Sequence, residues 1–100
     1  MKFMVSWRVH KDKRHDVMKN FAQMTPEHDK ADMGDHIRLI GRWHDLVGFT
    51  GFAVFEADDP KAIASWLLNW NAVLDVEVIV PVLDDEEARE VGKTKTAEEV

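Results

Sequence analysis

Residues 51–83 read GFAVFEADDPKAIASWLLNWNAVLDVEVIVPVL, and this stretch decides the fold. Gly51–Ala57 is short, aromatic-rich and β-branched, which predicts a strand. Asp58-Asp59-Pro60 then predicts a helix start, with Asp59 as cap and Pro60 at the first helical position. Ala62, Ile63, Trp66, Leu67, Trp70, Val73 and Leu74 follow as an apolar stripe at helical spacing. From Asp75 to Leu83 the period returns to two, with Val76, Val78, Val80 and Val82 on one face and Glu77, Ile79 and Pro81 on the other. A proline cannot donate to a ladder, so Pro81 assigns this last strand to a sheet edge.

Upstream the same sequence of elements occurs once more. Lys2–Val9 alternates strictly, with Phe3, Val5, Trp7 and Val9 opposite Met4, Ser6 and Arg8. Asp12–Met24 carries Val17, Phe21 and Met24 at helical spacing and ends at Thr25-Pro26, because the residue before proline is biased away from helix. Glu27–Asp35 is polar and reads as a loop. His36–His44 alternates again, and the turn Asp45–Thr50 leads into the strand at Gly51. The order β-α-β-β-α-β is that of a ferredoxin-like α+β sandwich, two helices on one face of an antiparallel sheet with strand order 4-1-3-2. Residues 1–83 form this domain. Residues 84–100 form an acidic C-terminal segment, with a short helix over Asp84–Val91 stopped by Gly92 and a frayed tail beyond it.

Alternation assigns the helix-covered face to Phe3, Val5, Trp7, Val9, Ile37, Leu39, Trp43, Phe52, Val54 and the four valines of the last strand. The opposite face then collects Met4, Ser6, Arg8, Arg38, Ile40, Arg42, His44, Ala53, Phe55, Glu77, Ile79 and Pro81. Met4, Ile40, Phe55 and Ile79 are much apolar surface for a solvated face, and such patches mark interaction surfaces. A second copy applied through the same face gives a two-fold homodimer.

Composition narrows the function classes. The chain has 100 residues and no cysteine. Disulfides, thiolate catalysis and cysteine-based metal sites are therefore excluded. Net charge is −6, with seven acids against three bases in Asp84–Val100, so the folded part is nearly neutral. Nucleic-acid binding, which needs a basic surface, is disfavoured. The N-terminal MKFMVSWRVHKDKR lacks the apolar core of a signal peptide, and no run approaches the ~20 apolar residues of a membrane span. The expectation is a cytoplasmic protein with no membrane partner.

The opening FMVSWRVHKDKR, the hairpin string LIGRWHDLVGFTG, the following VFEADD, the helix SWLLNWN and the strand VEVIVPVLDDEEA together resemble a bacterial domain-of-unknown-function family with a GRWHD motif. That family is placed among the dimeric α/β barrels, and the resemblance runs from residue 1 to about residue 92. It implies the ferredoxin-like fold and the sheet-to-sheet dimer. It carries over no catalytic residue, because none is established for the family.

The candidate site lies where the first two strands end. Arg8 closes one strand, and Arg42, His44 and Asp45 close the other, with about 10 Å between the strands. By parity Arg8, Arg42 and His44 share the open face, and Glu77 approaches Arg8 from the last strand. Arg8, Arg42 and Glu77 are the expected ligand contacts, since two guanidiniums can clamp a carboxylate or phosphate. His44 is the candidate catalytic group, its imidazole titrating near neutrality. An interface ion-pair network is the competing explanation of the same residues. His28, Asp29, Asp32, Asp35 and His36 cluster in the first long loop without any established metal-ligand spacing, so no metal and no cofactor is assigned. Trp66 and Trp70 read as core. Three functions fit: a homodimeric module binding a small organic ligand, an anion where the guanidiniums hold it, with a cavity between sheet and helices or between the two sheets; a cofactor-free enzyme of monooxygenase, isomerase or lyase type on a small organic acid; or a structural or protein-interaction module using the acidic segment.

Overall fold

The computed structural model describes residues 1–97. Its elements are β1 (Lys2–Val9), a 3₁₀ turn (Lys11–Lys13), α1 (Arg14–Ala22), α2 (Pro26–Met33), β2 (Ile37–Asp45), β3 (Thr50–Ala57), α3 (Pro60–Leu68), β4 (Leu74–Val82) and α4 (Asp85–Ala97). The strands form one antiparallel sheet in the order β2-β3-β1-β4, which is the expected 4-1-3-2 arrangement read from the other edge. β4 lies at an edge, where Pro81 costs the ladder nothing. The fold is ferredoxin-like α+β, enlarged by α2 and α4.

Two segments differ from the sequence reading. Residues 27–35 are not a loop, since α2 occupies most of them. Thr25 ends α1's segment and also caps α2: its hydroxyl accepts from the His28 N–H, the His28 ring accepts from the Thr25 N–H, and Pro26 opens the helix. Gly34 closes it at φ 82°, a conformation that suits glycine. Gly92 does not stop α4, which runs on to Ala97. A glycine in an exposed helix interior costs only about 1 kcal/mol, so it is a weak terminator. The tail expected to fray ends in residues 98–100, which lie outside the described residues. Among the described residues no helix is long and apolar enough to cross a membrane.

The core sits between the sheet and α3. Val5, Ile37, Ala53, Phe55 and Ala57 from the strands meet Ile63 and Trp66 from the helix, all buried. Phe55 is fully buried, edge-on to Trp66 at 5.1 Å and stacked on Phe3 at 5.7 Å. α3 begins as expected, with the Asp59 carboxylate accepting from the Lys61 N–H and Pro60 in the first turn. Such a cap contributes about 1 kcal/mol.

The facing of β3 is the reverse of the expectation. Ala53, Phe55 and Ala57 go under the helices, while Phe52 is 45% exposed on the open face. β3 is apolar on both faces, so hydrophobicity could not choose its parity. The register with β1 settles the matter, since Phe55, Ala53 and Gly51 lie opposite Phe3, Val5 and Trp7.

Candidate functional site

Two β-bulges decide which side chains meet. Along β2 and β3, Leu39 lies opposite Phe55 but the next pair is Gly41 with Val54, so Ile40 is an extra residue. A slip of one residue moves every later side chain to the other face. Arg42 therefore lies opposite buried Ala53, and His44 opposite buried Gly51, on the helix side. Trp43 turns outward instead, 53% exposed and stacked on Phe52 at 5.2 Å. Gly41 makes that possible, since a Cβ there would stand 2.3 Å from the Trp43 ring.

β4 carries the second bulge. Trp7 pairs with Val76 and Ser6 with Val78, leaving Glu77 extra. Only Val76 of the four valines lies on the helix face; Val78, Val80 and Val82 pair with Ser6, Met4 and Lys2 on the open face. Arg8 and Glu77 meet there at 3.7 Å, both substantially exposed. The face expected to be shared by Arg8, Arg42 and His44 is thus not formed. Arg8 and Glu77 are on one side of the sheet, Arg42 and His44 on the other.

Where Arg42 and His44 now point, α1 stands off the sheet. None of its residues is buried. Beneath it lies a partly open cavity of about 320 Å³, at the lower end of the ~300–1,000 Å³ of ligand pockets. Val5, Trp7, Val9 and Val76 supply the floor, Val17, Met18 and Phe21 the α1 wall, and Trp66, Leu67 and Trp70 the α3 wall. Arg42 and His44 are the polar side chains on this face that border it, and Asp45 and Thr50 border it at the hairpin end, where their register is that of Arg8.

These polar groups are already engaged. The Arg42 guanidinium is mostly buried, 3.2 Å from an Asp29 carboxylate oxygen and 4.8 Å above the Phe21 ring. Asp29 comes from α2, so the pair ties β2 to the helical layer. His44 packs against Phe21 at 4.8 Å and Trp7 at 5.9 Å. Although half-exposed, its imidazole is held below the usual histidine pKa by partial burial and then by the Arg42 charge. Asp45 does not orient His44. Its carboxylate accepts from the Gly48 N–H at 2.9 Å and shapes the β2–β3 turn, where Phe49 adopts φ 53°.

The acidic cluster of residues 28–36 has a mechanical role. Asp32 on α2 accepts from the Trp66 and Trp70 indole N–H groups at 3.1 and 2.8 Å, and from the Asn69 amide at 3.1 Å. Among the described residues no three histidines or acids converge as metal ligands. The sequence places Asp29 and Asp32 only in a polar loop and Phe21 only in a helix stripe, and does not announce their partners Arg42, Trp66, Trp70 and His44. The signal for the first two was present in Thr25-Pro26 and Gly34, which bracket a helix.

Fold and cavity together define a ferredoxin-like α+β domain with a ligand-sized space between its sheet and its first helix. The chain belongs to a domain of unknown function family (DUF3303), whose family model matches residues 1–96. No curated protein and no solved structure matches it.

Proposed function

We propose that the chain is a homodimeric domain that binds a small organic molecule in the cavity between β1, β2 and the helices α1 and α3. The observation that carries this reading is the cavity itself: an apolar space whose few polar side chains, Arg42 and His44 foremost, converge at one side. A cavity of this kind costs packing energy in a domain that needs only to fold, whereas ligand sites are apolar hollows with a few placed polar groups.

The dimer rests on the open sheet face. Ile40, Trp43, Phe52, Val78 and Val80 are each 39–53% exposed there, and Arg8–Glu77 and Arg38–Glu56 flank them at opposite ends. A second copy on the same face covers these side chains. Light scattering over a dilution series then gives twice the monomer mass, and a monomer mass at micromolar concentration overturns the pairing.

A proton-transfer enzyme without cofactor is the second reading, favoured by one observation: His44 is held neutral beside an apolar space, where it can accept a proton from a bound molecule. The ligand site is tested first. Calorimetric titration with 2-naphthol, uncharged at neutral pH, gives saturable binding at one molecule per chain. Val17→Trp, which fills the cavity from the α1 side, weakens it at least tenfold. Equal binding by the two proteins places the molecule elsewhere and overturns the site.

A further inference from the structure

We infer that the cavity selects an uncharged aromatic molecule over its anionic analogue, and that Asp29 sets this selectivity by neutralising Arg42. The inference rests on the cavity being the ligand site and adds what that site accepts.

Six rings line the space: Trp7, Phe21, His44, Phe49, Trp66 and Trp70. Flat apolar walls of this kind recognise a planar ligand through stacked or edge contacts. The charges are the less obvious half of the matter. An arginine facing an apolar cavity suggests an anion site, as the sequence reading supposed. Here the guanidinium is held by Asp29 at 3.2 Å and lies over the Phe21 ring, so its charge is already matched. The other charged side chain in the wall is Asp45, a carboxylate engaged by the Gly48 N–H. Among the described residues, the wall's own charges, Arg42 and Asp45, sum to zero, and of the two charges just behind it Asp29 is spent on Arg42 while the Arg14 guanidinium lies over the outer Phe49 ring at 5.0 Å.

A carboxylate entering this space leaves water, meets one carboxylate at the mouth, and competes with a second for Arg42. Transfer of an ionised group without a compensating partner is heavily penalised. A hydroxyl or carbonyl needs one hydrogen-bond partner, which the neutral His44 ring provides. Asp29 is thus a specificity-determining residue that need not touch the ligand. Removing its charge frees Arg42 for an anion.

The test compares 2-naphthol with 2-naphthoate by calorimetry at neutral pH, using the whole chain. The unaltered protein binds naphthol at least tenfold more tightly than naphthoate. Asp29→Asn lowers that ratio at least tenfold, chiefly by strengthening naphthoate. Asp45→Asn, which keeps the side-chain oxygen that caps the turn and so preserves the fold, lowers it in the same direction. A ratio at or below one in the unaltered protein overturns the inference, as does a ratio that moves in neither variant. If neither compound binds at all, the ligand site itself falls, an outcome distinct from a site that binds both equally.

Discussion

α3 and α1 cover the same sheet and hold it differently. α3 buries Ile63 and Trp66 against Phe55, and its Trp66, Asn69 and Trp70 region is fastened to α2 through Asp32. α1 has no buried residue, and its apolar Val17, Met18 and Phe21 line an open cavity above Trp7, with Phe21 touching His44. One half of the helical layer supplies stability and the other supplies volume. Such a division lets the fold carry a hollow of ligand size, because the packed half does not depend on the half that leaves the space.

The contrast breaks most visibly in a pair of truncations. Trp66→Ala empties a buried position, 5% exposed and edge-on to Phe55, so unfolding by denaturant should show a loss of about 3–5 kcal/mol. Phe21→Ala removes a ring that already borders empty space and should cost about 1 kcal/mol, most of it the contacts with Arg42 and His44. Equal losses in the two variants would mean that α1 is packed as α3 is, and the cavity would not persist in solution.

The next effect is that of the clamp. Asp32→Ala leaves two indole N–H groups without their acceptor, while the Asn69 amide keeps the Asp32 backbone carbonyl, which costs about 1–3 kcal/mol. Asp32→Asn keeps one oxygen and recovers part of it. Denaturation followed by tryptophan fluorescence reads both, and a change under about 0.5 kcal/mol would show that α2 is held by something other than Asp32.

How much of this was legible in the sequence follows from which signals are local. The strand and helix order, the Asp59-Pro60 cap and the edge position forced by Pro81 are written in short windows, and the structure has them. α2 was written there too, in Thr25-Pro26 and Gly34. Its polar composition hid it, because the residues that hold it, Asp29 and Asp32, act through partners on β2 and α3. The site was half legible: Arg42 and His44 were singled out, but with the wrong neighbours. Nothing local announces the bulges at Ile40 and Glu77, since a bulge is a property of two strands in register. Each moved the residues beyond it to the other face. The bulge at Ile40 thereby separated Arg42 from Arg8 and gave it Asp29 and Phe21 instead.

The smallest effect sharpens the comparison through pH. His44 has a folded-state pKa below its ordinary value near 6.5, because of burial and then the Arg42 charge. Above pH ~6.5 both the folded and the unfolded chain carry it neutral, and it contributes no pH dependence. As pH falls below that value the unfolded chain takes up the proton first, so stability declines, and the decline levels off once the folded imidazole is also protonated. Glu56 and Asp84 act in a separate, more acidic window. The Arg38 side chain beside Glu56, and the Glu87 backbone N–H that donates to Asp84, hold both below ordinary values of 4.5 and 3.8. Their contribution is lost only at lower pH. His44→Asn should therefore flatten the stability profile just below about pH 6.5 and leave the more acidic limb unchanged. Of the two rings recorded against His44, Phe21 belongs to α1 and Trp7 to β1, so its protonation acts on the α1 side. Hydrogen exchange, corrected for its intrinsic pH dependence, should show protection falling in α1 across that window while α3 holds. A parallel fall in both helices would mean that the open half and the packed half unfold as one unit, and that the division between them does not exist.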